Sequence, residues 1–183
     1  MGPVIYLYGP SGAGTTTLGR ALAAELGWRH MDTDDYFWKP TDPPYTVKRP
    51  IERRLVLMEK ELDREAVGTV LSGALDGWGD PLIPRFSLAV RLEVEQSVRL
   101  ERLRARELAA FGERILPGGD MYENHREFME WAARYDTAGP EQRSLARQKT
   151  WETGLPCPRL VLDGAAGLEE NVARIREEWG KQK

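Results

Sequence analysis

A five-residue apolar run, Val4-Ile5-Tyr6-Leu7-Tyr8, stops abruptly at Gly9-Pro10-Ser11-Gly12-Ala13-Gly14. Leu18, Ala21, Leu22 and Leu26 then recur at helical spacing, up to a stop at Gly27. β-Branched and aromatic residues favour extended chain, and a 3.6-residue period marks a helix with one buried face. A strand that feeds through glycines straight into a helix confines the chain to folds in which helices cover a sheet. The alternation repeats. Trp28–Met31, Thr69–Leu71, Leu88–Val94 and Arg159–Leu162 read as further short strands. Between them lie a stripe of Ile51, Leu55, Met58 and Leu62, an arginine-rich helix over 96–110, a stripe of Phe128, Trp131, Ala132 and Tyr135, and a closing stripe of Leu168, Val172, Ile175 and Trp179. Lys39–Pro50 holds four prolines and reads as loop. Five apolar strands separated by helices predict an α/β fold, a parallel sheet covered on both faces, in which ligands sit at the carboxyl ends of the strands.

The chain has 183 residues, a size suited to one domain. Lys and Arg total 26 and Asp and Glu 29, a net charge of −3 that draws neither nucleic acid nor an anionic membrane to the chain. Cys157 is the single cysteine, so no intramolecular disulfide is open to it. No apolar run approaches the ~18 residues of a membrane span, and no secretory pattern opens the sequence. A cytoplasmic protein with no nucleic-acid or membrane partner is expected; the oligomeric state is left open. His30 and His125 lie far apart and Cys157 sits between prolines, so no zinc pattern exists. Ser11 and Ser72 have no evident His partner, which disfavours hydrolase chemistry.

The first strand-to-helix loop carries the strongest chemical signal. Gly9-Pro10-Ser11-Gly12-Ala13-Gly14-Thr15-Thr16 matches the phosphate-loop pattern in its glycines, its hydroxyls and its strand-loop-helix setting. Such a loop turns backbone N–H groups inward around phosphate oxygens, and the helix N-terminus adds partial positive charge. Thr16 stands where a Mg²⁺-binding hydroxyl belongs, with Thr17 next on the helix. The pattern departs at one position, because Thr15 occupies the place of a lysine that gives a point charge to the β- and γ-phosphates. Lys39, Lys48 and Arg49, in or beside the proline-rich stretch, are candidates to replace that charge. The second loop, Asp32-Thr33-Asp34-Asp35-Tyr36-Phe37-Trp38, puts three carboxylates within four residues, which repel one another unless a cation is near. The same residues also suit a solvated turn that caps a helix.

With these two loops the chain resembles the P-loop kinases of the nucleoside and nucleotide kinase-like superfamily, which includes adenylate, shikimate, gluconate and uridine kinases, and bacterial proteins described generically as AAA-family ATPases. The resemblance implies a three-layer fold with a five-stranded parallel sheet in the order 2-3-1-4-5. It implies a single domain over 1–183, with a substrate-binding insertion over 36–66 and a lid over 107–127. It further implies ATP and Mg²⁺ as cofactors and a small hydroxylated phosphoryl acceptor as partner. Gly9, Ser11, Gly12, Ala13, Gly14, Thr15, Thr16 and Thr17 would hold the nucleotide, with Thr16 and either Asp32 or Asp35 at the metal. Asp34 would act as general base on the acceptor hydroxyl, with Asp35 beside it. Arg102, Arg106 and Arg114 would clamp phosphate and neutralise the transferred group, Arg102 also touching the nucleotide. In that family the loop after strand three meets the acceptor, which brings in Gly73 and Asp76. Trp38 and Trp78 would stack a flat acceptor, although packing at the core edge suits both as well.

Arg99 shares a helical face with Arg102 and Arg106, where ion pairs to neighbouring glutamates are an alternative to ligand binding. Two other functions remain open. Loss of the loop lysine fits a nucleotide-binding regulator that has lost catalysis. A bare NTPase also fits the loop, but needs neither the acidic segment nor the insertion.

Overall fold

The computed structural model describes residues 2–182; Met1 and Lys183, the ends of the expected domain, lie outside the described residues. Five strands pair in parallel as β2-β3-β1-β4-β5. They are β1 (Val4–Tyr8), β2 (Arg29–Asp32), β3 (Thr69–Ser72), β4 (Phe86–Glu93) and β5 (Arg159–Asp163). The order is the one the family resemblance implied.

Alternation along β1 builds two cores. Val4, Tyr6 and Tyr8 face one side, with Met31, Met58, Leu62, Leu71, Leu75, Leu82 and Phe86. Ile5 and Leu7 face the other, with Leu18, Leu22, Val70, Leu88, Val90, Leu92 and Ile175. The second side is covered by α1 (Thr15–Leu26) and α7 (Leu168–Gly180). The first is covered by α3 (Ile51–Arg64), which contributes Met58 and Leu62, and by the chain that leads out of α6 (Leu145–Glu152), which contributes Leu155. The remaining helices are α2 (Thr33–Phe37), α4 (Gln96–Phe111) and α5 (Tyr122–Ala133). A strand buried on both faces must be apolar throughout, which is why β1 reads as a continuous run in place of an alternating one.

Three local features depart from the sequence expectation. The acidic segment is helical, because the Asp32 side chain accepts from the Asp34 N–H and caps α2. Helix α6 was missed, since its sequence LARQKTWE shows no apolar period. Ser72 does have a histidine partner: His30 Nε2 lies 2.9 Å from its hydroxyl oxygen. Parallel pairing of β2 with β3 brings the two together across 42 residues. Ser72 is completely buried, so its hydroxyl has no access to a substrate, and burial lowers the His30 pKa.

Candidate active site

The phosphate loop begins at the carboxyl end of β1. Gly12 and Gly14 take φ of 83° and 93°, a left-handed conformation that side chains rarely adopt. A Cβ on Gly12 would also lie 2.6 Å from the Arg99 carbonyl oxygen, so the loop and the first turn of α4 need glycine in order to touch. The Leu18 N–H donates to the Gly14 carbonyl at 2.9 Å and starts α1. No acidic residue stands in the first turn of that helix, which leaves its N-terminal N–H groups available to an anion. Thr15 and Thr16 are half-exposed at this end, and Thr17 is exposed.

Thr16 and Asp32 meet across the loop. The Thr16 hydroxyl donates to Asp32 Oδ2 at 2.7 Å, and Asp32 Oδ1 accepts from the Asp34 N–H at 3.0 Å. One carboxylate therefore links the start of α1 to the start of α2 and fixes where Asp34 begins. Asp34 and Asp35 face different surroundings. Burial raises the Asp34 pKa, the neighbouring Asp32 raises it further, and the charges of Arg143 and Arg106 oppose both. The Asp35 pKa is also raised, by burial and then Asp32, but the cations that oppose it are His30 and Arg20. Asp34 thus looks toward the arginines of the cleft, and Asp35 toward the flank of α1 and β2.

The loop after β3 is tied to both. Thr33 is buried, and its hydroxyl oxygen accepts from the Ala74 N–H at 3.0 Å. The Tyr6 hydroxyl donates to the Gly73 carbonyl at 3.0 Å and accepts from the Leu75 N–H at 3.1 Å. A Cβ on Gly73 would fall 1.9 Å from the Thr33 hydroxyl oxygen, so only glycine lets this loop approach α2. Asp76 is buried and pairs with Arg147 Nε at 3.2 Å.

Aromatic side chains line the insertion side. Phe37 stands edge-on to Trp38 at 4.7 Å and to Trp78 at 6.0 Å. Trp78 Nε1 donates to the Ala74 carbonyl, and Trp38 pairs through its backbone with Lys48. Arg54 is buried here, 3.7 Å above the Phe37 ring and 5.1 Å from that of Trp78, and its Nε donates to the Arg49 carbonyl. Sequence reasoning passed over Arg54; its signal is an arginine on the same helical stripe as Ile51 and Met58.

The arginines of α4 separate. Arg99 is fully buried, donating to the Val94 carbonyl at 3.1 Å, to the Ala132 carbonyl and to Asp136. Arg102 is exposed and reaches the Gly164 carbonyl at 3.0 Å, in a loop whose glycine lies against the Ala13 carbonyl. Arg106 is exposed, paired with Glu107 at 2.8 Å, and within electrostatic reach of Asp34. Arg114 forms a fork on Asp120 and also meets Asp42 at 2.7 Å. With Phe111 against Tyr45 at 6.5 Å, that contact joins the 107–127 segment to the 36–66 segment.

Of the expected replacements for the loop lysine, Arg49 puts Nη1 on the carbonyls of Asp35, Tyr36 and Trp38, and Lys48 lies 5.9 Å from the Phe37 ring centroid. Lys39 is exposed. The residue that reaches the loop is Arg143, which no expectation included. Its Nη2 donates to the Gly9 carbonyl at 2.6 Å. Gln148 also approaches that carbonyl at 3.4 Å, held by the Tyr135 hydroxyl. Arg143 and Arg147 are one helical turn apart in a polar stretch, which alone distinguishes neither from a surface pair.

No family model matches the chain. The Bacillus subtilis (strain 168) protein YqaC, an uncharacterised protein, is 44% identical over 171 residues, covering 93% of this chain and 94% of YqaC. A shikimate kinase of Salinispora arenicola is 40% identical over 79 residues, 40% of this chain and 43% of that enzyme. A cytidylate kinase of Pyrococcus furiosus is 30% identical over 118 residues, 57% of each. Among solved structures, shikimate kinase from Bacteroides thetaiotaomicron superposes with a TM-score of 0.59 at 22% identity, covering 97% of this chain and 98% of that one. A gluconokinase from Sinorhizobium meliloti does so with 0.52 at 18% identity over 99% and 97%. These two show a shared fold. The chain belongs to one family with YqaC and shares the fold of the P-loop kinases of the shikimate kinase type.

Proposed function

We propose that the chain is an ATP-dependent phosphotransferase that acts on a hydroxyl of a small acceptor, a nucleoside, a nucleotide or a similar metabolite. The observation that carries this reading is the convergence of three groups at the mouth of the loop: the Thr16 hydroxyl, the Asp32 carboxylate 2.7 Å from it, and the crowded carboxyl of Asp34. A bare NTPase has no need of the third. The partial matches to shikimate and cytidylate kinases support transfer to a small molecule.

The chemistry follows from these positions. Asp34, its pKa raised by burial and by Asp32, takes the acceptor hydroxyl proton as that oxygen bonds to the γ-phosphorus; the bond to the β-phosphate oxygen breaks and ADP leaves. Mg²⁺ fits Thr16 and Asp32, a hydroxyl and a carboxylate at one point, because this ion favours few protein oxygens beside water and phosphate. When bound it supplies charge neutralisation between phosphates. The aromatic group of Phe37, Trp38 and Trp78 would offer the acceptor a flat apolar face, and the joined 107–127 and 36–66 segments would keep water from the transferred group.

The test is Mg²⁺-dependent ADP release from ATP, with pools of nucleosides, nucleoside monophosphates and small hydroxylated metabolites. Stimulation by one pool is the expected result. ATP binding without release in any pool would favour the non-catalytic regulator that Thr15 also suits. ATP loss indifferent to every pool would favour a bare NTPase.

A further inference from the structure

A phosphate loop without its lysine still has to hold three or four negative charges, so the cation must come from elsewhere if the loop binds a triphosphate. We propose that Arg143 supplies that charge, binding the triphosphate tail from the segment between α5 and α6 while one arm of its guanidinium stays on the loop carbonyl of Gly9. The inference rests on the nucleotide-binding part of the function proposed above.

Three observations converge on Arg143. Among the described residues it is the charged side chain hydrogen-bonded to the 9–16 loop backbone, at 2.6 Å. Its Nε is shut off from solvent and has no hydrogen-bond partner, an uncompensated donor on a charged group that a native fold rarely leaves so. The arginines nearest the cleft are engaged elsewhere: Arg102 on Gly164, Arg106 on Glu107, Arg114 on Asp42 and Asp120, and Arg147 on Asp76.

The local structure holds this residue still. Ser144 caps α6, its hydroxyl oxygen accepting from the Arg147 N–H at 3.1 Å and donating to the Gly139 carbonyl at 2.8 Å. The Arg143 guanidinium lies 6.0 Å from the Trp131 ring centroid. A guanidinium suits the task better than an ammonium would from this distance along the chain. Its five donors let one arm anchor to Gly9 while others face a phosphate.

The test is titration of the full chain with ATP, ADP and AMP in the presence of MgCl₂, followed by calorimetry. Compared are the natural chain, Arg143→Gln, Arg143→Lys, and Arg143→Gln combined with Thr15→Lys. We expect Arg143→Gln to weaken ATP about tenfold or more, the scale of one hydrogen bond to a charged group, and AMP by no more than about twofold. Arg143→Lys should fall between, and Thr15→Lys should restore ATP affinity to the Gln variant by returning a cation to the loop. Unchanged ATP affinity in Arg143→Gln overturns the inference. So does an equal loss for all three nucleotides that Thr15→Lys fails to restore, which would mark Arg143 as a strut of the loop. A natural chain that binds none of the nucleotides overturns the nucleotide reading itself, and this inference with it; a natural chain that binds and an indifferent Gln variant sink Arg143 alone.

Discussion

Asp34→Asn separates the base from its surroundings with the least steric change. The substitution keeps the shape of the side chain and removes its ability to accept a proton. Loss of a positioned general base costs roughly 10²–10⁴ in rate, or about 2.7–5.4 kcal/mol of transition-state stabilisation at 1.36 kcal/mol per decade. ATP affinity should hold or rise slightly, because a negative charge leaves the neighbourhood of the phosphates. Stability should move the other way from activity. Burial and Asp32 raise the Asp34 pKa in the fold, so the folded chain binds this proton more tightly than the unfolded one. Ionisation at neutral pH therefore works against folding, and a neutral Asn escapes that cost. Asp34→Asn should melt at a higher temperature than the natural chain at pH 7. The gain should shrink as pH falls through the ordinary aspartate value, below which Asp34 is protonated in both states. The assays are acceptor-dependent ADP release, ATP titration and thermal unfolding at pH 7 and pH 4. Full turnover in Asp34→Asn would remove Asp34 from the base role. Lost turnover with a lower melting temperature at pH 7 would mean that the carboxylate supports the fold and that its loss stops activity indirectly.

Three further substitutions probe the frame of the site. Arg106→Gln removes a cation that holds the Asp34 pKa down, so the acid limb of the turnover–pH profile should move to higher pH; an unmoved limb would show that Arg106 does not act on Asp34. Gly73→Ala would put a methyl 1.9 Å from the Thr33 hydroxyl oxygen at a φ of 116°, and should cost about 1–3 kcal/mol in urea unfolding with a fall in turnover as α2 shifts. Arg99→Met strands two carbonyls and a carboxylate inside the protein; with Asp136 partly open to water, about 3 kcal/mol of stability should be lost while ATP affinity per folded molecule stays the same. A drop in ATP affinity without a change in stability would place Arg99 at the ligand instead.

What could be read from the sequence was what short-range chemistry encodes. Val4–Tyr8 is apolar because both of its faces are buried, and the glycines that follow mark the turn whatever the rest of the chain does. Asp32 and Thr16 were placed together through the family resemblance, and they meet at 2.7 Å. Residues whose role depends on distant contacts were not legible. Arg143 meets Gly9 across 134 positions and His30 meets Ser72 across 42, distances over which periodicity carries no information. Helix α6 failed to register for a related reason. Its inward face sets Trp151, edge-on to Tyr6 and Tyr8, among polar groups, with Gln148 buried and Glu152 accepting from the Tyr8 hydroxyl at 2.7 Å and pairing with Arg91 at 2.9 Å, so no apolar stripe announces it. Arg99 and Arg106 lie nearly one above the other on α4, yet one is buried and the other exposed, because Asp136 and the 132–136 chain cover only the first turns of that helix.

That polar face has a consequence for how the site is assembled. A lysine at position 15 would ride on the phosphate loop and be present whenever the loop is formed. A cation at position 143 is present only when α6 is docked, and beside the Trp151 ring α6 docks through polar partners: Tyr8 and Arg91 on Glu152, Tyr135 on Gln148, and Asp76 on Arg147. Tyr8 lies on β1 and Arg91 on β4, the two strands whose carboxyl ends carry the loop and the start of α4, while Asp76 belongs to the loop expected to meet the acceptor. Buried polar contacts add little net stability but strongly penalise misplacement, because a half-satisfied network leaves charges unpaired in a poorly solvated interior. Exchanging the loop lysine for an arginine just ahead of α6 would therefore couple the phosphate-binding charge to the walls of both the nucleotide and the acceptor sides. A chain arranged in this way binds a triphosphate well only when the whole cleft is in order.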